Sequence, residues 1–160
     1  MGKTLVIYYS AQGHTKTIAE KIAKNLNADI FEIMPESKYE EVDLDWTNND
    51  SRVSHEHADE SLRNVALATT DIPNWQDYDA IIIGYPIWYG IAAWPTNSFI
   101  KALDFTGKTV IPFCTSHSSG LGDSDKLLQS DAETGTWLEA HRFYQDATDD
   151  EIKVWTDSLK

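Results

Sequence analysis

The sequence predicts an α/β fold, a doubly wound three-layer α/β/α sandwich built on a mostly parallel sheet. Three observations lead there. Charge-free apolar runs recur at residues 5–9, 80–83 and 110–114, the pattern of strands buried on both faces. Stretches of helical period lie between them, as where Ile18, Ile22 and Leu26 recur every fourth residue. The chain has 160 residues, 11% of them aromatic, enough for one domain with a sizeable core and too apolar for disorder. Alternating strands and helices fold as a parallel sheet covered on both faces, with right-handed crossovers.

Taken in order, the first strand is Leu5-Val6-Ile7-Tyr8-Tyr9. It runs into the polar loop Ser10-Ala11-Gln12-Gly13-His14-Thr15, then into a helix with Ile18, Ile22 and Leu26 on its inner face. A second strand over residues 28–34 stops at Pro35 and alternates only partly, which places it near a sheet edge. Residues 36–73 are the least periodic and read as an elaborated crossover. They contain the acidic run Glu40-Glu41-Val42-Asp43-Leu44-Asp45-Trp46 and a polar helix expected over residues 51–68, with Val53, Leu62, Val65 and Ala66 facing inward. His55 and His57 stand two apart there, and on a helix such residues face different directions, so no metal site is expected.

A third strand is expected over residues 78–84. A helix follows with Pro95 near its first turn and Phe99, Ile100 and Leu103 on its apolar face. The fourth strand, residues 109–114, ends at Cys114, read as a small buried hydrophobe. Beyond it lies a loop of small residues, 115–122, and Asp123 or Ser124 caps a helix carrying Leu127 and Leu128. A short fifth strand is expected between Trp137 and Phe143. Thr148-Asp149-Asp150-Glu151 is a capping box that opens a last helix with Ile152, Trp155 and Leu159 on one face.

Composition excludes several partners. The net charge of −13 makes nucleic acid and anionic membranes repulsive, while leaving a basic protein partner attractive. A single cysteine leaves no internal disulfide and fits a reducing compartment. The N-terminal apolar run is too short for a secretory leader, and no segment is long enough to span a bilayer. The expectation is a soluble cytoplasmic protein with no membrane insertion.

Three loops follow strands one, three and four and emerge at one edge of the sheet. The first leads into a helix N-terminus, whose unpartnered N–H groups and dipole favour an anion. Gly13 permits close approach, Ser10, Gln12 and Thr15 add donors, and no residue from 10 to 15 is acidic. Thr15 serves equally well as an ordinary helix cap. The second, Tyr85-Pro86-Ile87-Trp88-Tyr89-Gly90, carries two large rings. Taken alone these rings pack into the core; beside the other loops they read as pocket walls. The third, rich in small hydroxyl residues and Gly, lets backbone N–H groups lie close to a flat polar edge. Together they describe a pocket for a phosphorylated, planar heteroaromatic molecule.

On these motifs, with Pro112-Phe113-Cys114-Thr115-Ser116 and Gly120-Leu121-Gly122 as the third, the chain resembles a flavodoxin-like FMN protein over essentially its whole length. The resemblance implies a single domain, residues 1–160, with a five-stranded parallel sheet of order 2-1-3-4-5 and FMN as cofactor. It implies that Ser10, Ala11, Gln12, Gly13, His14 and Thr15 hold the phosphate. Pro86, Ile87, Trp88, Tyr89 and Gly90 would flank the isoalloxazine ring, and Thr115, Ser116, His117 and Gly120 would approach its polar edge. Gln12 stands where many flavodoxins carry a hydroxyl residue and His14 where many carry Asn; Gly13-His14 is similar to the quinone-reductase branch of the same fold.

Other phosphate users of this architecture are excluded. A low-molecular-weight tyrosine phosphatase needs Cys and Arg in the first loop. A response regulator needs acidic residues at the end of strand one, where Tyr8-Tyr9-Ser10 stands. No GxxxxGK[ST] is present. Two functions follow from the resemblance. The first is a low-potential electron carrier serving redox partner proteins with basic docking surfaces; the acidity and paired aromatics favour it. The alternative is an FMN-dependent NAD(P)H oxidoreductase acting on quinones or other small acceptors. No residue is marked as a general acid or base, so no catalytic residue is assigned.

Overall fold

A computed structural model describes residues 2–160. Strand β1 (Thr4–Tyr8) lies inside a parallel sheet, with β2 (Asp29–Glu32) on one side and β3 (Ala80–Trp88) on the other. β3 pairs in parallel with β5 (Thr109–Ser116). The outer edge of β5 carries two short pieces, β6 (Thr136–Trp137) and β7 (His141–Tyr144), both parallel to it. The five sheet positions therefore follow the expected order 2-1-3-4-5, with the fifth strand interrupted between its pieces. A seventh strand, β4 (Ile91–Ala92), folds back antiparallel on the end of β3.

Successive side chains of a strand point to opposite faces, and β1 shows it. Leu5 and Ile7 join one core with Ile81, Ile83, Phe99, Ile100 and Leu128, and Val6 and Tyr8 join another with Ile18, Ile22, Ile82, Phe113 and Ile152. The first layer is covered by α3 (Trp94–Ile100) and α4 (Ser124–Ala132), the second by α1 (His14–Leu26) and α5 (Asp149–Ser158). This is the predicted three-layer sandwich. The Thr148/Glu151 capping box opens α5 as expected. No helix among the described residues is long and apolar enough to cross a membrane.

The crossover between β2 and β3 departs from expectation. Only Arg52–Ala58 is α-helix (α2), flanked by single 3-10 turns at Glu41–Leu44 and Glu60–Arg63. Asp59 ends α2 because its own side chain accepts from Ser61 N–H and starts the next turn. Val53 and Val65 are buried as predicted, but Leu62 is 49% exposed and Ala66 is exposed. α3 likewise stops at Ile100, short of Leu103.

Gly84 is required by packing. Its cross-strand partner is Phe113, and a Cβ at position 84 would lie 2.1 Å from the Phe113 ring. Gly84→Ala is expected to cost about 1–3 kcal/mol, the usual cost of overpacking. Phe113→Leu in the same chain should recover part of that loss, and urea unfolding of the single and double variants measures it.

Candidate functional site

Because β1, β3 and β5 are parallel neighbours, their carboxyl ends stand side by side. Strand order reverses between β1 and β3, where ligands of open α/β sheets bind. The loop after β1 ends in Gly13, the N-cap of α1, at φ 93, in the left-handed region that favours glycine. No side chain caps α1, and the first-turn N–H groups of His14, Thr15 and Lys16 lack intrahelical acceptors. The Gly13 N–H donates to Ser10 Oγ at 3.1 Å, which closes the loop.

Thr15 is not a cap. It sits in the first turn, 1% exposed, with Oγ1 2.7 Å from Thr115 Oγ1. Two hydroxyls share that bond, so one proton is used and the other is left to donate. The contact also pins the β1 loop to the end of β5.

The second motif is a hairpin rather than a loop. β3 continues through Trp88, and Tyr89 (φ 51) and Gly90 (φ 80) turn the chain into β4. Positive φ at both central residues is the type I′ signature. Tyr89 occupies a conformation unfavourable for a large L-residue. Its ring stacks on His57 at 3.8 Å, and its hydroxyl lies 3.3 Å from Ser54 Oγ. His55 points elsewhere, 4.0 Å from Asp50.

Trp88 is half-buried and edge-on to three rings: Tyr9 at 5.7 Å, Tyr39 at 5.0 Å and Trp94 at 5.0 Å. Behind them sits the buried carboxylate of Glu56. It accepts from Trp94 Nε1 at 2.8 Å, from Arg52 Nε at 3.2 Å and from the Tyr39 hydroxyl. Arg52 also lies over the Tyr39 ring, 3.6 Å from its centroid. Burial pushes the Tyr9 and Tyr39 phenols well above their ordinary range, so both remain neutral. A paired, fully bonded carboxylate thus fixes the aromatic wall from behind.

The third loop is tied to its neighbours. The Ser116 hydroxyl donates to Ser119 O and accepts from Arg142 Nε at 2.9 Å. Gly122 has φ 55, and a Cβ there would meet Gly90 O at 2.4 Å. Loop and hairpin therefore touch where only glycine fits.

These parts enclose a cleft of about 550 Å³. Of the predicted residues, Gln12, Pro86, Ile87, Trp88, Tyr89, Thr115, Ser116 and His117 line it. A smaller depression at the α1 N-terminus is lined by Ser10, Ala11, Gln12, His14 and Thr15 together with Pro86, Trp88 and Thr115. Gly13, Gly90 and Gly120 line neither, and Gly120 is exposed. No carboxylate side chain lines either depression. Sequence reading missed Leu44, Trp46 and Val53, which reach the cleft from the irregular crossover, and Gln145, which lines both depressions from the turn after β7. A Trp within the acidic run, Trp46, was the available signal; the residue is 70% exposed. The arrangement can hold an anion at α1 and a flat aromatic body in the cleft.

A family model described as "Flavodoxin" matches residues 3–159. The chain belongs to the flavodoxin family. Flavodoxins hold their ligand at such a reversal of strand order. This flavodoxin is 39% identical to a candidate flavoprotein from Bacteroides uniformis ATCC 8492, with TM-score 0.88 and 98% of each chain covered. It shares the fold of a Lactobacillus acidophilus NCFM flavoprotein solved in complex with FMN, at 23% identity and TM-score 0.68, covering 98% of this chain and 99% of that one. A curated relative, NAD(P)H dehydrogenase (quinone) of Rhizobium johnstonii, is 32% identical over 117 residues, 69% of this chain. This flavodoxin spans about half the length, 52%, of that relative.

Proposed function

We propose that this flavodoxin binds FMN and passes electrons between protein partners as a low-potential carrier. The cofactor reading is supported by the uncapped α1 N-terminus, the spare hydroxyl proton of the Thr15–Thr115 pair and the aromatic cleft beside them. The L. acidophilus neighbour is an FMN complex. FMN, when bound, supplies the redox chemistry. The chain's own residues bind the phosphate, hold the ring against Trp88 and set the charge around it.

One observation carries the choice of carrier. Leu44 and Trp46 bring the crossover to the cleft, and residues 40–51 hold five carboxylates and no Lys or Arg. Such a rim repels the pyrophosphate of a nicotinamide dinucleotide and steers basic proteins to the cleft. Reduction of a quinone with NAD(P)H is the second reading, favoured by the name of the R. johnstonii relative.

Steady-state oxidation of NADH and NADPH by holoprotein, with quinone, ferricyanide and oxygen as acceptors, separates the two. The carrier reading expects slow oxidation with every acceptor. It also expects rapid electron delivery from photoreduced holoprotein to a basic c-type cytochrome, slowing as salt rises. Saturable, fast quinone reduction would establish the enzyme instead.

A further inference from the structure

We propose that Arg142 is an electrostatic positioning residue of the cleft: its guanidinium, one hydroxyl behind the wall, offsets the negative charge that a flavin ring gains on reduction. The proposal rests on reading the cleft as an FMN site. Of the three arginines in the chain, Arg52 and Arg63 pair with Glu56 and Glu60. Arg142 has no carboxylate at ion-pair distance among the described residues. Its Nε donates to Ser116 Oγ at 2.9 Å, and its cation lies over the Tyr144 ring at 3.6 Å. Its Nη2 is fully buried with no acceptor.

An unpaired, half-buried cation with an orphaned N–H is costly on its own. In a chain of net charge −13, carboxylates to pair with it are plentiful, yet none is used. Its position indicates what it serves. Ser116 lines the large cleft and not the depression at α1, so the charge acts on the ring end rather than the phosphate end. Its charge acts on the adjacent strand: burial drives the Cys114 thiol up to about 12, and Arg142 pulls it the opposite way. Cys114 is its direct strand neighbour. Two electrons and one proton, delivered by a reduced partner protein or nicotinamide, leave the ring with one added negative charge. A half-buried cation near it is screened by salt less than an exposed one.

The test compares holoprotein carrying wild-type sequence, Arg142→Met and Arg142→Lys by equilibration with redox dyes. FMN titration and apoprotein melting are run in parallel. Arg142→Met is expected to lower the midpoint potential by at least about 30 mV, a tenfold loss in preference for reduced over oxidised cofactor in a two-electron couple. Arg142→Lys, which keeps the charge, should retain most of the wild-type potential. Apo Arg142→Met should melt no lower than wild type, because the substitution removes an unpaired charge. Should Arg142→Met not fold, Arg142→Gln, which keeps a donor to Ser116, carries the same expectation. An unchanged potential in the neutral variant overturns the proposal, as does an equal drop in the Met and Lys variants, which would assign the effect to loop anchoring. Failure of wild type to bind FMN overturns the cofactor reading and this proposal with it, whereas tight FMN binding with an unmoved potential overturns this proposal alone.

Discussion

Riboflavin is expected to bind the apoprotein roughly 10² to 10⁴ times more weakly than FMN. The two ligands share the ring and ribityl chain and differ only in the phosphate, so the ratio isolates the α1 site. The first-turn N–H groups of α1 are uncapped, and Thr15 and Thr115 have one uncommitted hydroxyl proton between them. At least two charge-assisted hydrogen bonds are available, at about 1.5–3 kcal/mol each, which sum to about 3–6 kcal/mol. Each factor of ten in affinity corresponds to about 1.4 kcal/mol. Fluorescence titration with both ligands gives the ratio directly, and inorganic phosphate should compete with FMN alone. Equal affinities would mean that α1 does not bind the phosphate and that the ring contacts supply all of the binding.

The parts of the fold legible in the sequence are those where one periodicity dominates. The charge-free run at residues 5–9 and the four-residue spacing of Ile18, Ile22 and Leu26 fix β1 and α1, because burial on both strand faces and one helix face leaves little choice. The anion loop was legible for the same reason: strand end, Gly and helix start are adjacent in sequence. The hairpin was not. A type I′ turn is signalled by Asn-Gly or Asp-Gly, and here Tyr89 fills the first central position, with tertiary stacking on His57 offsetting its unfavourable φ. The role of Thr15 was ambiguous because the residue types that cap helices also bind anions; its contact with Thr115, one hundred residues away, has no local trace. Leu44, Trp46 and Gln145 line the cleft from irregular backbone, where no period assigns a face to a side chain.

Trp88 reads as core when taken alone and as pocket wall beside the other loops, and its ring both packs into the interior and lines the cleft. It packs against the α3/α4-side core near Tyr39 and against the small cluster of Val53, Val65 and Trp94, and it also lines both depressions. Trp88→Ala should therefore move two measurements together. Three edge-on ring contacts at about 0.5–1.5 kcal/mol each, with the cavity left behind, predict an apoprotein loss of about 2–4 kcal/mol. For a domain of this size that is about 5–15 °C in melting midpoint. FMN binding should loosen as well, because the ring loses a wall that the Glu56 network holds in place. The flavin potential should rise, since an electron-rich ring beside the cofactor disfavours added negative charge. Nicotinamide must lie flat against a flavin to deliver hydride, and a wall that covers one face obstructs it; its removal should not diminish whatever nicotinamide oxidation exists. Trp88→Phe, which keeps an aromatic edge toward Tyr9 and Tyr39, separates the effects by restoring much of the stability. Stopped-flow reduction by NADPH decides the functional half. Rapid, saturable hydride transfer in wild type that disappears in Trp88→Ala would make Trp88 an organiser of a reductase site, and the acidic rim would then be a solubility feature rather than a docking surface.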